Sequence, residues 1–129
     1  MPVEIQMLVC AVGLLVVIIL IQASGSTLQV GLMKALGNRD NVPAATGWVG
    51  RAVRCADNQV VSLVLFAPLV LATVLVRQTD HWSALGSSVY LYARLAYTVC
   101  YLIGIPYLRT LCWLGGMAGI ALVGYSLYV

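Results

Sequence analysis

Arg94 is a lone cation inside an otherwise uncharged stretch, because no other charged side chain occurs from Trp82 to Leu108. A guanidinium at the bilayer midplane costs at least ~2.5–3.5 kcal/mol on insertion scales, so it must face protein or water and find a partner there. Arg94, Tyr97, Thr98 and Tyr101 follow an i, i+3, i+4, i+7 pattern and form one stripe of a helix. Arg51, Arg54 and Asn58 recur at spacings of three and four and form a second stripe, with Asp57 three residues from Arg54. A helix rising from Trp48 carries Asn58 roughly 15 Å inward, and one descending to Ile103 places Arg94 roughly 14 Å from the same end. The two stripes are therefore expected at a common height. Asp57 and Asn58 are the expected partners of Arg94, and Arg51, Arg54, Tyr101 and Arg109 are expected to ring an entrance below. Such a cationic pocket suits an anionic head group, and apolar walls around it suit a lipophilic co-substrate. The plainer alternative is an Arg94–Asp57 pair that fixes helix packing, with the other arginines snorkelling to lipid phosphates.

The elements that must hold these residues are legible in composition. Of 129 residues, 62% are hydrophobic and 9% charged. Soluble domains carry about 25% charged residues, so the chain reads as an integral membrane protein. Its uncharged runs are Ile5–Met33, Asn58–Val76, Thr110–Val129 and the Trp82–Leu108 stretch broken by Arg94. A span needs roughly 20 residues. Four helices fit, at about 3–30, 48–76, 82–103 and 106–128, giving an all-α, four-transmembrane-helix bundle in a single domain. The first segment lacks a basic leading region, carries Glu4, and is too long for the apolar core of a cleaved signal, so it is expected to stay as a helix.

Charge sets the expected orientation. Lys34, Arg39, Arg51, Arg54 and Arg109 fall at one end of the spans and Arg77 alone at the other. Five against one places the first end in the cytoplasm and both termini outside it. The net charge of +3 follows from this loop bias and needs no nucleic acid.

Cys10, Cys55, Cys100 and Cys112 show no paired spacing, and His81 is the single histidine. Neither a metal site nor a haem is expected, and the cysteines read as small apolar packers. The loop Gly37–Gly47 is dense in turn formers, with Pro43 and Gly47 marking the break before the second helix. Asp80 or Ser83 is expected to cap the third helix, and Gly104-Ile-Pro106 to turn the chain into the fourth. Trp48, Trp82, Tyr107 and Tyr128 suit interfacial anchoring. On the first helix, Gln22, Ser24, Ser26, Thr27 and Gln29 mark either close helix packing or a cavity wall.

The stretch Gly37-Asn-Arg-Asp40, then Arg51-Ala-Val-Arg-Cys-Ala-Asp-Asn58 running to Phe66, resembles the MAPEG family (membrane-associated proteins in eicosanoid and glutathione metabolism). So does Ala93-Arg-Leu-Ala-Tyr-Thr-Val-Cys-Tyr101, followed by Gly-Ile-Pro-Tyr-Leu-Arg-Thr110 and Trp113. The likeness covers about three quarters of the chain and is greatest to short bacterial members. It implies a four-helix subunit in a bacterial inner membrane, a homotrimer, and glutathione held between neighbouring subunits near the cytoplasmic side. It further implies glutathione transferase, glutathione peroxidase, or prostaglandin or leukotriene synthase chemistry.

Carried over by position, Arg54 and Asn58 match glutathione contacts on the second helix, and Arg94 matches a buried arginine on the third. Tyr101 matches a tyrosine that touches the tripeptide. Arg109 matches an arginine proposed to stabilise the thiolate, and Thr110 stands where some members have serine. In this reading Arg109 supplies charge while Thr110 or Tyr101 donates a hydrogen bond, and Arg51, Asp57 and Tyr97 complete the ligand set. The chain also departs from the pattern. Val61 replaces an acidic residue that grips the glutathione ammonium, Asp57 stands where some members carry a basic residue, Tyr97 where some have histidine, and Gly31 at the place of a basic residue. Asp57 lies one turn below Val61 and could hold either the ligand ammonium or Arg94, but hardly both.

Two functions follow. One is a glutathione-dependent transferase or peroxidase acting on lipophilic small molecules. The other is a non-catalytic accessory subunit, lipid-filled or part of a larger membrane complex. A proton-coupled exporter is disfavoured because the first helix has no carboxylate between Ile5 and Met33.

Overall fold

A computed structural model describes residues 1–31, 33, 36–37 and 46–129. Lys34, Arg39 and the turn-forming stretch through Pro43 lie outside the described residues. Four helices account for most of the chain, named here α1 (Val3–Val30), α2 (Gly47–Leu75), α3 (His81–Ile103) and α4 (Pro106–Ser126), and no strand occurs among the described residues. Helices rather than strands form because lipid offers no water to backbone groups, so each segment must satisfy its own amides internally.

Three of the four, α1, α2 and α4, are long and apolar enough to cross a membrane. At 23 residues α3 has the length. It holds Ser83, Ser87, Ser88, Arg94 and Thr98, and these lower its hydropathy. All but Ser88 are buried. Its polarity is therefore turned mostly inward, against the neighbouring helices.

The chain ends each helix by local chemistry. The Gly31 amide bonds the Thr27 carbonyl at 2.9 Å with φ at 88°, a backbone that glycine takes without strain. Asp80 and Ser83 together cap α3: the Ser83 amide donates to Asp80 Oδ1 and the Asp80 amide to Ser83 Oγ, both at 2.9 Å. Gly104 closes α3 in the left-handed conformation (φ 92°), and Pro106 opens α4 where its missing amide is harmless.

Packing is closest between α3 and α4. A Cβ on Gly86 would stand 2.7 Å from the Gly119 carbonyl, and one on Gly119 would stand 2.6 Å from the Gly86 carbonyl. Glycine at both positions lets the two backbones touch. On α1, a Cβ on Gly25 would stand 2.6 Å from Val49 and 2.7 Å from Trp48, so glycine there lets α1 pack closely against α2. The centre is apolar, built around Phe66 stacked on Tyr90 with ring centroids 3.9 Å apart, beside Ala11, Val70 and Val123. The Ser83 hydroxyl, already part of the α3 cap, also donates to the buried Glu4 carboxylate and ties the start of α1 to the start of α3.

Candidate functional site

α2 and α3 run antiparallel, and a ladder of polar contacts joins them. Nearest the Pro106 end, Arg51 Nε donates to the Leu102 carbonyl at 3.3 Å. One turn further in, Arg54 Nε donates to the Tyr101 hydroxyl at 3.3 Å. Deeper still, Arg94 Nε donates to Gln59 Oε1 at 2.7 Å, and above that Ser62 and Tyr90 share a hydrogen bond of 2.9 Å. Each step up α2 meets a step down α3, so the two helices do align their polar edges at matching heights.

Arg94 is 1% exposed. Its partner is Gln59, not Asp57 or Asn58 as the stripe spacing suggests. The reason is angular. Gln59 continues the buried face of α2 through Ala52, Cys55, Ser62 and Phe66, all turned toward α3 and the core. Asp57 lies two residues back, about 200° around the helix, and is exposed. Asn58 is half-buried, and its Oδ1 has no partner among the described residues.

The guanidinium also lies over the Tyr97 ring, 4.1 Å from its centroid, a cation–π contact that softens the missing countercharge. On the other side, a Cβ on Gly116 would stand 3.3 Å from Arg94 Cδ, so glycine on α4 makes room for the arginine stem. Two donors stay unpaired in this knot among the described residues, Arg94 Nη2 and Gln59 Nε2.

Below it, the cations gather around Tyr101. Arg54 bonds its hydroxyl, and Arg109 lies over its ring at 4.6 Å, with Tyr97 and Tyr101 rings 5.5 Å apart. None of the contacts of Arg51, Arg54, Arg94 or Arg109 described above goes to a carboxylate. The structure thus brings together Arg51, Arg54, Tyr101 and Arg109, with Tyr97 and Arg94 behind them. It does not bring Asp57 or Thr110 into that cluster by any hydrogen bond. Thr110 donates instead to the Pro106 carbonyl of its own helix at 3.3 Å and is exposed.

The MAPEG family model matches residues 5–128. The chain belongs to the MAPEG family. Membership makes it an integral membrane protein related at family level to glutathione or eicosanoid metabolism. No curated protein and no solved structure matches it significantly. Within this MAPEG chain, Gln59, Ser62 and Tyr90 are the polar residues that spacing alone passed over. The signal was present: Gln59 and Ser62 interrupt an otherwise apolar stripe of α2, where an amide and a hydroxyl need buried partners.

Proposed function

We propose that this MAPEG chain binds glutathione at its basic end and directs the thiolate against lipophilic electrophiles, as a transferase or peroxidase. One observation carries the reading: Arg51 on the Leu102 carbonyl, and Arg54 and Arg109 on Tyr101, gather at the end of α3, and none of these contacts is to a carboxylate. Glutathione has two carboxylates, and guanidinium forks suit both. The arginines of α2 hold the carboxylates, while Arg109 stands near the thiol. A free thiol has a pKa of about 8.5, so only about 3% is thiolate at pH 7, and a neighbouring cation raises that fraction. With a chlorinated nitrobenzene, the thiolate forms a carbon–sulfur bond, chloride leaves with its electron pair, and the thiol proton goes to solvent.

An open apolar groove of about 400 Å³, lined by Val17, Leu20, Ile21, Ser24 and Trp48, offers a lipophilic co-substrate a place. Trp48 stands one turn from Arg51, so groove and cations share the same end of α2. The basic end faces the cytoplasm of a bacterial inner membrane, both termini lie outside, and copies assemble as a homotrimer.

A second reading has its own support. Thr110 is turned to its own helix, and Val61, where a family acid would stand, is 61% exposed. Both fit a non-catalytic subunit whose cleft takes lipid. Titration of purified protein with glutathione, followed by calorimetry and thiolate absorbance, separates the two. Saturable binding with conjugate formation supports the enzyme. Absence of binding by a folded protein, with phospholipid recovered from the cleft, refutes it.

A further inference from the structure

α3 and α4 form a hairpin pinned at both ends. The Gly104-Ile105 turn joins them at one end, and Gly86 against Gly119 brings their backbones together towards the other. Between the pins the facing residues are small: a Cβ on Gly115 would stand 3.4 Å from Ala93 Cβ. Gly86, Ala93 and Cys100 follow in steps of seven on α3, and Gly119 and Cys112 are seven apart on α4. A step of seven turns a helix by only about 20° from two full turns, so each cysteine continues the line by which its helix meets the other.

Their heights converge as well. Cys100 lies three residues before Ile103, about 4.5 Å from the end of α3, and Cys112 six residues past Pro106, about 9 Å along α4. Side chains tilt towards the start of their own helix. In this antiparallel pair Cys100 therefore leans away from the turn and Cys112 leans towards it, which closes the difference. The two thiols are in hydrogen-bonding contact, and Cys112 packs against the cluster that holds Tyr97 and Tyr101. Cys10 is exposed on α1, and Cys55 on α2 meets Thr98 instead. Cys100 is buried, whereas Cys112 is half-buried. The exposed neighbours of Cys112 on α4 are Leu108, Leu111 and Trp113, so a reagent that reaches this thiol comes through lipid.

We propose that Cys100 and Cys112 are a redox-active dithiol, which a lipid-soluble organic hydroperoxide oxidises to an intramolecular disulfide joining α3 to α4. The more open Cys112 sulfur attacks the terminal peroxide oxygen. A sulfur–oxygen bond forms, the oxygen–oxygen bond breaks, and the departing alkoxide takes the Cys112 proton and leaves as alcohol. Cys100 then attacks the sulfenic sulfur; the sulfur–sulfur bond forms, the sulfur–oxygen bond breaks, and hydroxide leaves as water with the Cys100 proton. Two thiols have then given two electrons and two protons to one peroxide. Small reducing thiols reverse the bond by exchange, as suits a transient bridge rather than a structural one. Cys100 adjoins Tyr101 and Cys112 lies one turn past Arg109, so the bridge fixes both sides of the Arg109–Tyr101 contact. The electrons come from the chain itself, and the oxidation stands whether or not glutathione binds.

The test uses the full chain in phospholipid vesicles without glutathione. Cumene hydroperoxide is added, the chain is denatured in N-ethylmaleimide, and intact mass and linked peptides are read. The alkylated chain is expected to carry two maleimides instead of four, with the Cys100 peptide joined to the Cys112 peptide, and dithiothreitol is expected to restore four. Cys100→Ala is expected to stop at a sulfenic acid on Cys112 that dimedone traps, and Cys112→Ala to give neither bridge nor adduct. The bridge is read in the parent chain, so the result does not depend on either variant folding. Four intact thiols, or a bridge to Cys10 or Cys55, overturn the dithiol. Closure by glutathione disulfide but not by cumene hydroperoxide overturns the assigned oxidant. Glutathione titration of the same vesicles is a separate readout: a bridge without glutathione binding leaves the dithiol standing and removes the enzyme, and binding without a bridge does the reverse.

Discussion

Replacing Gln59 by leucine is expected to destabilise the protein more than removing Gln59 and Arg94 together. The bond between them is short, at 2.7 Å, fully buried, and charged on one side. Hydrogen bonds to charged groups contribute about 1.5–3 kcal/mol, and in Gln59→Leu the guanidinium keeps only the Tyr97 face at 4.1 Å. For a chain of this size each kcal/mol moves the midpoint by about 3–5 °C, so a fall of roughly 5–15 °C is expected. In Gln59→Leu/Arg94→Leu no charge remains in the knot between α2 and α3, and apolar replacement of a buried polar pair is often near neutral. The double variant is therefore expected within about 1 kcal/mol of the parent, a coupling that a double-mutant cycle reads directly. Gln59→Glu has a different expected sign. It removes the unpartnered Nε2 and supplies a carboxylate to the unpartnered Arg94 Nη2, so the midpoint should rise or hold. Thermal unfolding in detergent, followed by circular dichroism, measures all five chains: the parent, Gln59→Leu, Arg94→Leu, the double variant and Gln59→Glu. If the two single losses simply add in the double variant, Arg94 and Gln59 are not coupled and the polar knot does not hold α2 to α3.

Other outcomes test other contacts. Gly119→Ala should destabilise by about 1–3 kcal/mol through overpacking, because its Cβ would stand 2.6 Å from both the Gly86 carbonyl and the Tyr90 amide; Gly13→Ala, which meets open space, should not. Thermal unfolding of the pair checks this. Ser83→Ala removes the reciprocal half of the α3 capping box and the donor to buried Glu4 together, while the backbone amide at position 83 keeps its bond to Asp80 Oδ1, with an expected loss of about 2 kcal/mol and faster amide exchange at the start of α3. Tyr101→Phe keeps the ring beneath Arg109 but drops the bond to Arg54, so glutathione affinity should fall while stability changes by about 1 kcal/mol or less. An unchanged affinity would separate Arg54 and Tyr101 from the binding site.

The membrane class and the presence of four helices were legible without coordinates, because both depend on properties summed over 20 residues or more. A cap at Asp80 or Ser83, and Gly104 before Pro106, were legible for a different reason, since each acts within one turn of chain. Family membership was equally readable, since it rests on ordered residue types. So was the height at which Arg94 would seek a partner, because helical rise is uniform. The identity of that partner was not. Gln59, Asn58 and Asp57 are neighbours in sequence but point in directions 100° apart, and which one faces α3 depends on how α2 is rotated about its axis. That rotation is decided by packing: Phe66 against Tyr90, Gly25 beneath Trp48, Gly86 against Gly119. A periodic pattern shows that a helix has faces, whereas only neighbouring surfaces choose which face is turned inward.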